Sequence, residues 1–134
     1  ANKLRPMRII SRRAHGGLDY CVSVLLILAP RLLGFDYGGA EQRVPELIGI
    51  AGILYSLMTN YELGLLKLIP FRTHLTLDVL SGILLALSPW LFQFVERVWV
   101  PHLLVGLIAI AVPLMTRTSA TQRASAAPGS PAHP

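Results

Sequence analysis

HLTLDVLSGILLALSPWLFQF, residues 74–94, is an apolar run interrupted near both ends. His74 and Asp78 stand four apart at its start, and Ser88-Pro89-Trp90 stands near its end. As an α-helix rising ~1.5 Å per residue, the run reaches about 30 Å, the thickness of a bilayer's hydrocarbon core. Pro89 lacks a backbone N–H and its ring clashes with the preceding turn, so the helix is expected to bend or stop there. Ser88 can donate to the carbonyl that the proline frees. Trp90 then falls near the outer interface, where an amphipathic ring is favoured. On this reading Ser-Pro-Trp is a helix terminator with an interfacial anchor; a ligand or partner contact is the alternative.

The run is written a second time. A shift of 59 lays residues 15–35 on 74–94, and nine of the 21 positions agree, among them His15/His74, Asp19/Asp78, Pro30/Pro89 and Phe35/Phe94. A shift of 57 lays Gly49–Thr59 on Gly106–Thr116, matching Gly, Ile, Leu, Met and Thr. Leucine matches mean little in apolar sequence; the His, Asp, Pro and Leu-Met-Thr matches carry the repeat. Each unit is a helical hairpin, and the unequal shifts give the first hairpin the longer connection. A hairpin leaves on the side it enters, so the two units run parallel, with a pseudo-two-fold axis along the membrane normal. The first and third helices match best and are expected to be neighbours in the bundle centre.

The rest of the chain agrees. Its 134 residues are 53% hydrophobic and 14% charged, too apolar for an ordinary soluble domain of this length. The apolar residues gather in four blocks, 18–35, 45–61, 75–94 and 98–116. Each is near the ~20 residues that a spanning helix needs. The expected fold class is all-α: a polytopic membrane protein with four transmembrane helices formed by two tandem helical hairpins. A basic N-terminal arm (1–14) precedes a membrane domain (15–116). That domain holds repeat one (15–60), a connecting segment (61–73) and repeat two (74–116). The tail, 117–134, is rich in Ser, Ala and Pro and is expected to be disordered. The stretch YELGLLKLIPF, 61–71, either extends the second helix or lies along the interface.

Charge sets the orientation. Lys3, Arg5, Arg8, Arg12, Arg13, Lys67, Arg72, Arg117 and Arg123 fall on one side, against Arg31, Arg43 and Arg97 on the other. Both termini are therefore expected in the cytoplasm, in a bacterial-type cytoplasmic (inner) membrane. The net charge of +5 comes without stacked aromatics or a basic helical face, so nucleic acid is not an expected partner. A basic start before an apolar block also suggests a secretory signal peptide. That block has a full-length counterpart later, however, and a disposable leader has no reason to match a mature helix. Cys21, the single cysteine, excludes an internal disulfide or a cysteine-based metal site.

With the repeated His-x-x-x-Asp before it, LDVLSGILLALSPWLFQF resembles the SPW-repeat family of small integral membrane proteins. The resemblance covers about residues 12–116 and implies a two-helix unit in tandem; it implies no biochemical activity. The second unit has Ser88, Pro89 and Trp90 intact, whereas the first has Ala29, Pro30 and Arg31, so the proline alone survives there. Arg31 can snorkel to the level that Trp90 occupies.

His15–Asp19 and His74–Asp78 each lie on one helical face, within hydrogen-bonding reach. Both pairs sit at N-terminal, cytoplasmic helix ends, where the helix dipole favours the carboxylate. The preferred reading is structural: each Asp orients the His of its own pair, which bonds the neighbouring helix or the loop. No metal and no cofactor is then expected. The alternative is that His15 and His74 converge on a haem, a chlorophyll-type pigment or a metal. His102 has no histidine counterpart in the other unit. Gly49, Gly52, Gly82, Ala86, Gly106 and Ala109 form small-residue stripes that allow close helix approach and specify packing.

The chain has no Gly-rich phosphate loop, no paired intramembrane carboxylates suited to proton relay, and no Ser-His-Asp or Cys-His constellation. An enzyme is not expected, and no residue is a catalytic candidate. The leading expectation is a non-catalytic accessory or structural subunit that contacts the lipid bilayer and packs against other membrane subunits, or itself, in a bioenergetic or transport complex. A haem- or pigment-binding protein using His15 and His74 is one alternative, and a small oligomeric channel or carrier is another.

Overall fold

The structure, a computed structural model, describes residues 9–118. It contains four α-helices and, among the described residues, no strand: α1 (Arg12–Leu32), α2 (Ala40–Leu57), α3 (Phe71–Leu91) and α4 (Val100–Leu114). The first eight residues of the basic arm and positions 119–134 of the expected tail lie outside the described residues. Within them, Arg117 N donates to Ile10 O at 2.7 Å.

Backbones approach most closely inside each hairpin, α1 with α2 and α3 with α4, and α2 also packs on α3. Small residues make this possible. A Cβ at Gly49 would lie 2.5 Å from Ser23 O, and one at Gly106 would lie 2.6 Å from Ala86 N. Gly52 faces Ser23 and Gly82 faces Gly106 and Ala109, so the stripes read from sequence are consumed by the hairpins themselves. α1 and α3, expected to be neighbours in the bundle centre, do touch, through side chains more than backbone. They lack a shared small-residue seam and meet through longer polar side chains at one end.

The ends of α1 and α3 are built alike. Pro30 and Pro89 lie inside their helices, which run only two residues further. Leu33 N and Phe92 N close the last turns on Ala29 O and Ser88 O, and Phe35 N and Phe94 N reach back to Pro30 O and Pro89 O. The turn between passes through positive φ at Gly34 (74°) and Gln93 (59°), the left-handed residue of a helix C-terminal cap. Pro89 frees the carbonyl four residues back, that of Leu85, and Ser88 Oγ donates to it at 2.7 Å. Phe35 and Phe94 are thereby folded inward and are buried, with ring centroids 5.2 and 4.8 Å from that of His102.

Segment 61–71 neither prolongs α2 nor forms a surface helix. It doubles back, so that Leu65 N and Leu66 N bond Leu57 O while Leu68 N and Ile69 N bond Met58 O. These bonds satisfy carbonyls that the end of α2 would otherwise leave orphaned. Gly64 is required at this turn because a Cβ there would meet Thr59 O at 1.8 Å.

The bundle buries many polar side chains and exposes many apolar ones. Among described residues, the fully buried side chains include His15, His74, His102, Glu41, Thr59, Thr116, Ser56 and Ser88, with Leu85 the sole large aliphatic. Leucines, isoleucines and valines on all four helices face outward, among them Leu28, Leu54, Leu87 and Leu104. By length and composition α3 alone is clearly able to cross a membrane. α4 is apolar but has 15 residues, about 22 Å. α1 and α2 are diluted at their ends by Arg12, Arg13 and Arg31 and by Glu41, Arg43 and Glu46.

Candidate functional site

The first turns of α1 and α3 place four ionisable side chains at one point. Ser11 caps α1 by accepting from Ala14 N, and His15 and Asp19 follow on one face. α3 begins at Phe71, just after Pro70, and puts His74 and Asp78 at the same depth. The expected pairing within each helix is present, at 3.0 Å for His15–Asp19 and 3.2 Å for His74–Asp78. The closer pairing is exchanged between helices: His15 Nε2 lies 2.7 Å from Asp78 Oδ2, and His74 Nε2 lies 2.5 Å from Asp19 Oδ2.

That reciprocity is the signature of a two-fold contact, in which residue i meets j while j's counterpart meets i's. The surrounding contacts repeat it. His15 Nδ1 lies 2.8 Å from Thr116 Oγ1, and His74 Nδ1 lies 2.8 Å from Thr59 Oγ1. Ile10 bridges to Thr116, and Ile69 to Thr59. Each histidine therefore joins three helices: its own, the other unit's first helix through Asp, and a second helix through Thr. The second ring nitrogen reaches a threonine just past the end of α2 or α4, where the neighbouring helix passes into its loop.

Each threonine hydroxyl has already placed its hydrogen, since Thr59 Oγ1 donates to Tyr55 O (2.6 Å) and Thr116 Oγ1 to Val112 O (2.7 Å). The oxygen facing each imidazole can then only accept, which fixes the hydrogen on Nδ1 of both rings. His15 and His74 are fully buried and Asp78 nearly so, with Asp19 the least covered of the four. The units differ at one partner. Tyr55 OH donates to Asp78 Oδ1 at 2.5 Å, while the corresponding position in the second unit is Val112. Phe71 and Tyr61 pack on His74, and a cavity of about 70 Å³ beside the cluster is lined by Asp19, Asp78, Tyr55 and Ser81 among others.

Sequence reasoning singled out the four His and Asp residues but missed Thr59, Thr116 and Tyr55. The repeated Leu-Met-Thr was visible, and its place one helix away at the same end of the bundle was the available signal. The other marked residues lie at the opposite end. Trp90 is half exposed with its ring 6.4 Å from that of Trp99, and Arg31 pairs with Glu46 at 3.0 Å. His102 donates to Glu41 O at 2.8 Å, apart from the cluster. The centroids of His15 and His74 are 5.5 Å apart and both Nε2 atoms aim at the same carboxylates. A macrocycle between them would have to displace both Asp side chains and part α1 from α3.

The family model of the SPW repeat domain matches residues 13–116. No curated protein and no solved structure matches the chain.

Proposed function

The chain belongs to the SPW repeat family, a family of small membrane proteins, and from that premise we propose that it is a non-catalytic, multi-pass accessory subunit. On this reading all four helices cross the bacterial inner membrane with both termini in the cytoplasm, and the protein packs against other subunits of a bioenergetic or transport assembly. The observation that supports it is the reversed burial. Outward leucines on every helix surround an interior in which His, Asp, Glu, Thr and Ser are buried beside a few aromatic and aliphatic side chains, and so wide an apolar surface is unfavourable in water and natural in lipid. The basic residues on the Ile10, Lys67 and Arg117 side fit a cytoplasmic face.

The small-residue seams are occupied within the hairpins, so partners would meet the leucine faces. α4, at about 22 Å, is shorter than the hydrocarbon core, and a neighbouring subunit or a locally thinned bilayer would accommodate the mismatch. The cluster of His15, Asp19, His74 and Asp78 would serve this role by locking the two hairpins at their cytoplasmic end.

Cross-linking in native membranes, followed by native electrophoresis and mass spectrometry, tests the partner reading. A reproducible heteromeric species of defined composition is expected. Migration as the isolated chain or a homo-oligomer in every detergent, with no cross-linked neighbour, would refute it.

A further inference from the structure

Four ligand-type atoms face one another where α1 meets α3: Nε2 of His15 and His74, and a carboxylate oxygen each from Asp19 and Asp78, all within 4.8 Å. The threonine contacts place one hydrogen of each ring on Nδ1, so each Nε2 faces two carboxylates and needs a proton or a cation between them. Lone pairs and anions cannot face each other unbridged in a buried site. We propose that His15, Asp19, His74 and Asp78 form a binding site for one divalent transition-metal ion of the zinc class.

The donor set selects the ion. Two imidazoles and two carboxylates suit zinc and its neighbours in four-coordination, whereas magnesium and calcium take six or more oxygen ligands. Two aspartates balance the ion's charge, leaving the buried centre neutral. Tetrahedral bonds of about 2.0–2.1 Å place ligand atoms roughly 3.3 Å apart. The four His–Asp separations here are 2.5, 2.7, 3.0 and 3.2 Å, so the ligands open by about half an ångström, within reach of the soft terminal torsion of an aspartate. Protons on both Nε2 atoms would satisfy the two exchanged pairs; one ion satisfies all four contacts at once.

The surroundings match what orients metal-bound histidines, whose distal N–H is held by an acceptor. Thr59 and Thr116 are that acceptor in both units, and Tyr55 holds the outer oxygen of Asp78. Asp19 has Val112 where Asp78 has Tyr55, is the least covered ligand and lines the adjacent cavity. It is the side from which an ion would be admitted. The inference departs from the expectation that these residues serve structure alone, and it stands or falls separately from the accessory-subunit reading, because it is measured on the isolated chain.

The full chain, purified in detergent and stripped with chelator, is titrated with Co²⁺ and then Zn²⁺. The proposal expects one Co²⁺ per chain with the intense visible bands of four-coordination, displaced by one equivalent of Zn²⁺. His74→Gln should abolish the bands, and Thr59→Val or Thr116→Val should weaken binding by about 10–100-fold. Where His74→Gln fails to fold, Asp19→Asn decides, since its amide oxygen still accepts from His74 but is a poor ligand: weakened binding supports the site, and unchanged affinity overturns it. Substoichiometric binding to the wild-type chain, the weak bands of six-coordination, or bands that survive in His74→Gln would also overturn it.

Discussion

Replacing Asp78 separates charge from hydrogen bonding at the centre of the bundle. In the metal-free protein, where His15 Nε2 also carries a proton, its two oxygens accept from His15 Nε2 at 2.7 Å and from Tyr55 OH at 2.5 Å, and the side chain is almost wholly buried. In Asp78→Leu both donors remain in place with no acceptor. Each orphaned buried donor costs about 1–3 kcal/mol, so the loss should total roughly 2–6 kcal/mol. Asp78→Asn keeps one carbonyl oxygen and leaves one donor served, for a loss of about 1–3 kcal/mol. The gap between the variants, about 1–3 kcal/mol, is therefore the informative quantity. It is read by denaturing the chelator-treated protein in mixed micelles with increasing ionic detergent. Fluorescence of Trp90 and Trp99, the only two tryptophans, lies at the far end of the bundle and reports global unfolding. If the two variants agree within about 0.5 kcal/mol, well below one orphaned donor, the cluster does not hold the hairpins together.

Five further substitutions follow from particular contacts. Gly106→Ala forces a methyl group against Ala86 N at 2.6 Å and should destabilise by about 1–3 kcal/mol, whereas at Gly17, where a Cβ meets nothing within 4 Å, alanine should be neutral or gain up to about 1 kcal/mol; equal effects in a thermal-unfolding comparison would refute the seam. Ser88→Ala removes the bond to Leu85 O and should cost about 1 kcal/mol, while Ala29→Ser should gain a fraction of that by offering the same bond to the carbonyl freed by Pro30. Gln93→Gly relieves the positive φ of 59° and should stabilise by about 0.5–1 kcal/mol, checked by the same unfolding measurement; no gain would mean that the turn is not strained.

The repeat was legible because it is written in residues that apolar sequence rarely supplies twice, namely His, Asp, Pro and Thr. The all-α hairpins, the helix stops after Pro30 and Pro89, and the role of Ser88 followed from local rules about backbone hydrogen bonds. The exchange of partners between His15–Asp78 and His74–Asp19 did not. A spacing of four makes the within-helix pair visible, but which carboxylate lies closer depends on how α1 and α3 approach, which no local rule sets. Thr59 and Thr116 were hidden for the same reason: their role depends on a neighbouring helix. Gly49, Gly52, Gly82 and Gly106 sit at close helix approaches, and nothing local distinguishes an internal seam from a partner surface. Segment 61–71 was ambiguous because its leucines suit a helix, while Gly64 and the left-handed Lys67 (φ 50°) belong to a turn that folds back on α2.

On the proposed reading the polar cluster lies at the cytoplasmic end of a bundle that crosses the membrane, and cysteine accessibility tests this most directly. In a Cys21→Ala background, Ala40→Cys and Arg97→Cys probe the Trp90 end, and Leu65→Cys, exposed on the folded-back segment, probes the end that carries His15 and His74. A membrane-impermeant maleimide applied to intact cells should label positions 40 and 97 and reach position 65 only after the membrane is opened. Labelling of position 65 in intact cells, or protection of 40 or 97 there with labelling after lysis, would contradict the account.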